Sequence, residues 1–124
     1  MSKIHLFRSK STLALRQRKA FLLRSFHLPP DILHASLIER LLKCGKKQCA
    51  CRQDPNARHG PFLYLNRSFA KGEFQTLLLK TDAQALQARQ GLQAWAKALE
   101  LLDEICQINY ELLRREDPLQ GSVA

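Results

Sequence analysis

Apolar and polar positions along the chain change period, and each period predicts an element. Between 82 and 116, apolar or small residues recur at Ala85, Ala88, Leu92, Trp95, Leu99, Leu102, Cys106 and Leu113, with Asn109 in the one polar place. Alternating steps of three and four make the seam of a heptad-like helix. Thr81 or Asp82 can cap its start. At 1.5 Å per residue this helix is roughly 50 Å long, more than so small a domain needs. Part of the seam is therefore expected to pair with another helix, either the N-terminal one or the same helix of a second copy. A long core helix lying over a sheet is the alternative. Cys106 reads as a buried apolar residue. An Asn in such a seam can fix register or partner number.

Over 61–80 the period falls to two. Phe62, Tyr64 and Asn66 alternate with Leu63, Leu65 and Arg67, "AKGE" at 70–73 supplies a Gly-containing turn, and "FQTLLLK" is a β-rich return. The expectation is a hairpin of 61–68 with 73–80. "ILHASLIERLLKC" (32–44) fits both periods and reads as a short helical turn leading into a strand at about 37–43. Residues 11–26, "STLALRQRKAFLLRSF", read as a helix capped by Ser11 or Thr12. Its apolar side is Leu13, Ala20, Leu23 and Phe26, its basic side Arg16, Arg18, Lys19 and Arg24, and Pro29 and Pro30 prevent its continuation. The expected fold class is α+β: a basic N-terminal helix, a small three-stranded antiparallel sheet and a long C-terminal helix. The expected organisation is a basic segment over 1–30, a single domain over 31–116 and a disordered tail over 117–124.

Charge adds a direction to this picture. The net charge is +9, and residues 1–30 hold seven Lys/Arg with no acid, whereas 82–124 hold four basic and seven acidic residues. Such asymmetry draws a polyanion to the first two thirds of the chain; simple solubility is the plainer reading. No apolar run is long enough to span a membrane. The start lacks the apolar stretch and small-residue cleavage site of a secretory signal. Its acid-free, Arg- and Ser-rich composition is like that of an organellar transit peptide, but polyanion binding is the simpler use for those charges.

The densest chemistry is in "CGKKQCACRQDPNARHGP", residues 44–61. Disulfide frameworks spread their cysteines, whereas these are crowded, so a reduced, cytoplasmic chain is expected. Cys44, Cys49, Cys51 and His59 supply the four soft or borderline ligands of a structural zinc site. The spacing, C-x4-C-x-C-x7-H, is not the paired CxxC pattern. A metal-free loop and redox or nucleophilic thiol chemistry stay open beside it. Gly45 would let the chain turn after the first thiol, and Lys46, Lys47, Arg52 and Arg58 would offset thiolate charge. His5, His27 and His34 are weaker ligand candidates, and Asp54 in "DPN" reads as a turn former. No paired carboxylates, Ser-His-Asp set or phosphate loop is present, so no enzyme is expected.

The function expected from charge is nucleic-acid binding, DNA first, through Arg16, Arg18, Lys19, Arg24, Lys46, Lys47, Arg52, Arg58, Arg67 and Lys71. A two-stranded ribbon can enter a major groove, where Arg67 or Gln75 could touch base edges. Phe62, Tyr64, Phe69 and Phe74 could stack on unpaired bases, although strand spacing assigns at least half of them to packing. The alternative is an interaction module that dimerises or docks on a partner through Leu92, Trp95, Leu99, Leu102 and Leu113.

The string C-G-K-x-x-C-x-C, a spacer, H-G-P-aromatic, a hairpin and a long helix, over roughly 36–115, resembles a group of small bacterial proteins of uncharacterised function. That group resembles proteins encoded beside transposases and site-specific recombinases on mobile elements. The resemblance implies an accessory role in DNA handling, with a recombinase or transposase as a partner. The basic N-terminal helix lies outside it.

Overall fold

A computed structural model describes residues 6–120. The order of elements is α1 (Thr12–Ser25), β1 (Ser36–Leu42), β2 (His59–Ser68), β3 (Phe74–Leu79) and α2 (Asp82–Arg114), with two 3-10 turns at Ala50–Arg52 and Pro55–Ala57. The class is α+β, as the periodicity predicts. The chain divides into two compact units, one of 1–30 with 96–124 and one of 31–95. Among the described residues no helix is long and apolar enough to cross a membrane.

In the first unit α1 packs on the C-terminal half of α2. Ser11 caps α1, its Oγ accepting from the Ala14 N–H at 3.0 Å, which satisfies an otherwise orphaned donor. The core consists of Phe7, Leu15, Leu22, Ile108 and Leu112, with Leu101 and Ile105 against it. Thr12 donates to Asp117 at one end and Arg18 pairs with Glu104 further along, so the helices run antiparallel.

On α1 and on the C-terminal half of α2 the side turned inward differs from the one expected, whereas in the N-terminal half of α2 the expected seam holds, with Ala88 buried and Ala85, Leu92 and Trp95 half-buried. On α1 the buried residues are Leu15, Lys19 and Leu22, while Leu13 and Leu23 are exposed. On α2 the buried stripe is Ala98, Leu101, Ile105, Ile108 and Leu112, one residue before the expected seam. Leu99, Leu102 and Leu113 are exposed, and so is Cys106, contrary to the expectation that it is buried. Asn109 is half-buried and accepts from Lys19 Nζ at 2.8 Å.

Two polar clusters, each built on one buried charged side chain, Lys19 or Glu111, complete this unit. Lys19 also donates to the Leu119 carbonyl, and Arg16 to that of Pro118. The first residues read as a tail therefore lie against α1; residues 121–124 fall outside the described part. Glu111 accepts from Arg114 and Arg115, and Arg115 also donates to the carbonyls of Phe7, Arg8 and Lys10. The Arg114 hydrogen bonds, opposed by burial and reinforced by Arg115, hold the Glu111 carboxyl down at about 2. A carboxyl depressed in the folded state contributes stability above its unfolded value, and that contribution fades as pH falls through the folded one. The urea midpoint of the helical signal should therefore drop as pH goes from 4.5 to about 2. Glu111→Gln should remove the part of that slope due to this group.

In the second unit β1–β2–β3 form an antiparallel sheet in chain order. Ile38 faces Tyr64, which faces Leu78, and Arg67 faces Gln75. The Phe69 N–H bonds to the Glu73 carbonyl at 2.9 Å, closing the "AKGE" hairpin. Thr81 and Gln84 cap α2: the Gln84 N–H donates to Thr81 Oγ1 at 3.0 Å, and Gln84 Oε1 accepts from the Lys80 N–H at 2.7 Å.

The helical turn expected before β1 is absent, and 32–35 is irregular. The Leu33 N–H donates to the Gly91 carbonyl at 3.1 Å, and the His34 ring stacks on Trp95 with centroids 4.3 Å apart. A Cβ at Gly91 would sit 2.7 Å from the Asp31 carbonyl oxygen and 2.8 Å from Leu33 Cβ. The glycine is thus what lets this segment lie along α2, and helix contacts replace the local turn. Leu92 and Trp95, expected to bind a partner, are half-buried here.

Candidate metal centre

Sheet register brings the four ligands together. Leu42, near the end of β1, pairs with His59, the first residue of β2, so Cys44 follows β1 close to the imidazole. Between Arg40 and Leu42 the register shifts, β2 holding the extra residue. Pro61, which has no N–H for a ladder, lies within that irregularity, where a central strand tolerates it. Gly60 has φ +119°, and a Cβ there would come within 2.9 Å of the Arg40 carbonyl oxygen. The "HGP" run is thus the sequence form of a bulge that starts β2 at the histidine.

Between the strands, Cys49 precedes the first 3-10 turn and Cys51 lies within it. Asp54 begins the second, its Oδ1 accepting from the Asn56 N–H at 2.9 Å, as its reading as a turn former requires. Gly45 has open space around its missing Cβ and is not among the residues at positive φ. The chain does bend at Gly45, just after the first thiol, although neither space nor φ requires glycine there, and the 3-10 turns fold the rest of the loop.

The four ligand atoms lie within 4.8 Å of one another. Cys51 Sγ is 3.5 Å from Cys44 Sγ, and Cys49 Sγ is 3.3 Å from His59 Nε2. Metal–sulfur and metal–nitrogen bonds of zinc length in a tetrahedron place ligand atoms about 3.5–3.8 Å apart. The four residues could therefore hold one metal ion. Cys51 is buried, and its thiol is pulled down to about 7, chiefly by the Cys44 N–H, which donates to its sulfur at 3.3 Å. At Cys49 the backbone N–H of Cys51 favours the thiolate, but the Cys51 and Cys44 thiols and burial outweigh it and push that thiol up. His34 is engaged with Trp95, His27 is exposed outside the cluster, and His5 lies outside the described residues.

The expected nucleic-acid contacts divide into two groups. Arg18 is tied to Glu104, Lys19 is buried on Asn109 and Leu119, and Arg16 bonds to Pro118. These long-range partners leave Arg24 as the α1 candidate of that set with no side-chain partner among the described residues. Lys46, Lys47, Arg52 and Arg58 are exposed around the metal loop, and Arg67 and Lys71 are exposed on the hairpin. Arg67 stacks over Phe69 at 4.5 Å, and Arg40, which the sequence reading passed over, lies over Tyr64 at 5.9 Å. Phe62 and Tyr64 are half-buried, whereas Phe69 and Phe74 are exposed.

Neither the curated proteins nor the solved structures yield a match to the chain. A family profile does match, over residues 13–79. That span takes in α1, the metal loop and the hairpin, so the basic helix expected to lie outside the resemblance is inside it, and α2 is beyond the matched region. The chain belongs to the family described as "Domain of unknown function (DUF6788)".

Proposed function

We propose that this chain is a non-enzymatic nucleic-acid-binding module whose Cys44, Cys49, Cys51 and His59 corner holds a structural zinc ion. Three thiols and an imidazole form a soft, closed donor set of the kind that serves structural zinc, with no ligand position left for a reacting water. One observation carries the nucleic-acid reading. The ligand-bearing loop exposes Lys46, Lys47, Arg52 and Arg58, and among the described residues none of them pairs with a carboxylate. An exposed basic rim without carboxylate partners meets phosphates without first breaking ion pairs. Arg67 and Gln75, facing each other across the hairpin, are the side chains offered to base edges. The resemblance to proteins encoded beside recombinases supports DNA as the polyanion and an accessory role on a mobile element.

The test is binding to a labelled DNA duplex, followed by anisotropy across a salt series. Affinity should fall steeply with salt, each phosphate contact adding about 0.9 to the log–log slope. Lys46→Ala with Lys47→Ala should flatten that slope by about 2, with metal content unchanged. No binding to DNA or RNA at low salt would refute the reading.

A further inference from the structure

We propose that the exposed part of the α2 seam is a homodimer interface, in which two copies pair antiparallel about Cys106. This pairing does not depend on the nucleic-acid reading. Leu99, Leu102, Cys106, Tyr110 and Leu113 are all exposed. At 100° per residue they fall within about 80° of helix circumference, about 120° around from the stripe that meets α1. The helix therefore carries a second apolar face that α1 does not cover.

The occupant follows from the spacing. Counted outward from Cys106, the exposed apolar positions lie at the same steps in both directions. A face that reads identically in reverse is complementary to itself under a two-fold axis, the symmetry of an isologous dimer. With the axis at Cys106, Leu99 meets the partner's Leu113, Leu102 meets the partner's Tyr110, and the two Cys106 side chains meet each other. Shape agrees with this register. Leu99, Leu102, Asp103 and Cys106 border a groove on this face. Those positions are the four corners of a hole between successive helical turns. Tyr110 is 73 % exposed, and in this pairing it projects at the level of the partner's hole.

Charge sets the direction. Glu100 and Asp103 flank the face near one end, and Arg114 flanks it near the other. In a parallel pair the two charged flanks would lie on opposite sides of the seam and would not meet. The antiparallel pair brings Arg114, which is already bonded to Glu111 but half-exposed, within a turn of the partner's Glu100. The same acidic flank disfavours a polyanion as occupant.

Sedimentation equilibrium of the metal-loaded chain, from low micromolar to near-millimolar concentration, should give a monomer–dimer equilibrium. Leu102→Asp, and separately Tyr110→Lys, should weaken dimerisation at least tenfold while leaving the far-UV spectrum intact, because both side chains are on the surface. A short bis-maleimide should link two wild-type chains, and Cys106→Ser should abolish the link. In the Cys106→Ser background, Leu99→Cys alone should not link to itself, whereas Leu99→Cys with Leu113→Cys should link. A monomer at every concentration overturns the proposal. So does undiminished dimerisation of both charged variants, or self-linking by Leu99→Cys alone, which would mean a parallel pair.

Discussion

His59→Ala is expected to abolish stoichiometric metal binding and, with it, the ordered sheet of the 31–95 unit. The effect should be large because this unit has little else to hold it. Among its described residues the strands contain no fully buried side chain, and the buried positions are Cys51, Ala88 and Gly91. Three strands need an apolar face or a partner layer to be stable on their own. A structural zinc ion contributes about 10–16 kcal/mol in small metal-dependent domains, more than the net stability of many whole domains. His59 is the cleanest ligand to remove, because it is exposed and its truncation leaves no cavity. Cys51→Ala would confound ligand loss with a hole at a buried site. Elemental analysis should give about one ion per chain in the wild type and far less in the variant. The strand contribution to the circular dichroism should fall, and the helical contribution of 12–25 and 96–114 should remain. Chelation of the wild type should reproduce the change, and added zinc should reverse it. Full metal retention by His59→Ala would remove the histidine from the site. A metal-free wild type with an intact sheet would remove the metal altogether.

The Cys/His cluster that could hold a metal was legible in the sequence because it is local: crowded thiols, a histidine and a bulge written as Gly-Pro all lie within 44–61. The hairpin and the long helix were legible for a similar reason, since period and turn chemistry act over a few residues. What was not legible came from contacts between distant segments. The side chain of Lys19 reads as solvated until Asn109 and the Leu119 carbonyl are brought to it. Segment 32–35 has a helical pattern that Gly91 and Trp95 override. Arg115, which no motif marks, satisfies three carbonyls of the N-terminal turn.

The α2 stripes pose the same question in a form that mutation can answer. Positions 98, 101, 105, 108 and 112 and positions 99, 102, 106, 109 and 113 are both heptad-spaced, and both are largely apolar. Spacing alone cannot say which one meets α1; the core does, with Ile108 and Leu112 fully buried against Leu15 and Leu22. Ile108→Ala should therefore cost about 2–5 kcal/mol, the lost transfer energy plus an incompletely collapsed cavity. With so few fully buried side chains in this core, no neighbouring cluster can take up the loss. Leu113→Ala, at 63 % exposure, removes as many methyl groups from a side chain that is already mostly wet. Its cost in dilute solution should stay within about 0.5 kcal/mol. Denaturant melts followed by helical ellipticity, at concentrations too low for association, measure both. Equal costs would mean that the two stripes share the core, and a larger cost at Leu113 would mean that α2 is rotated about its axis from the packing described above.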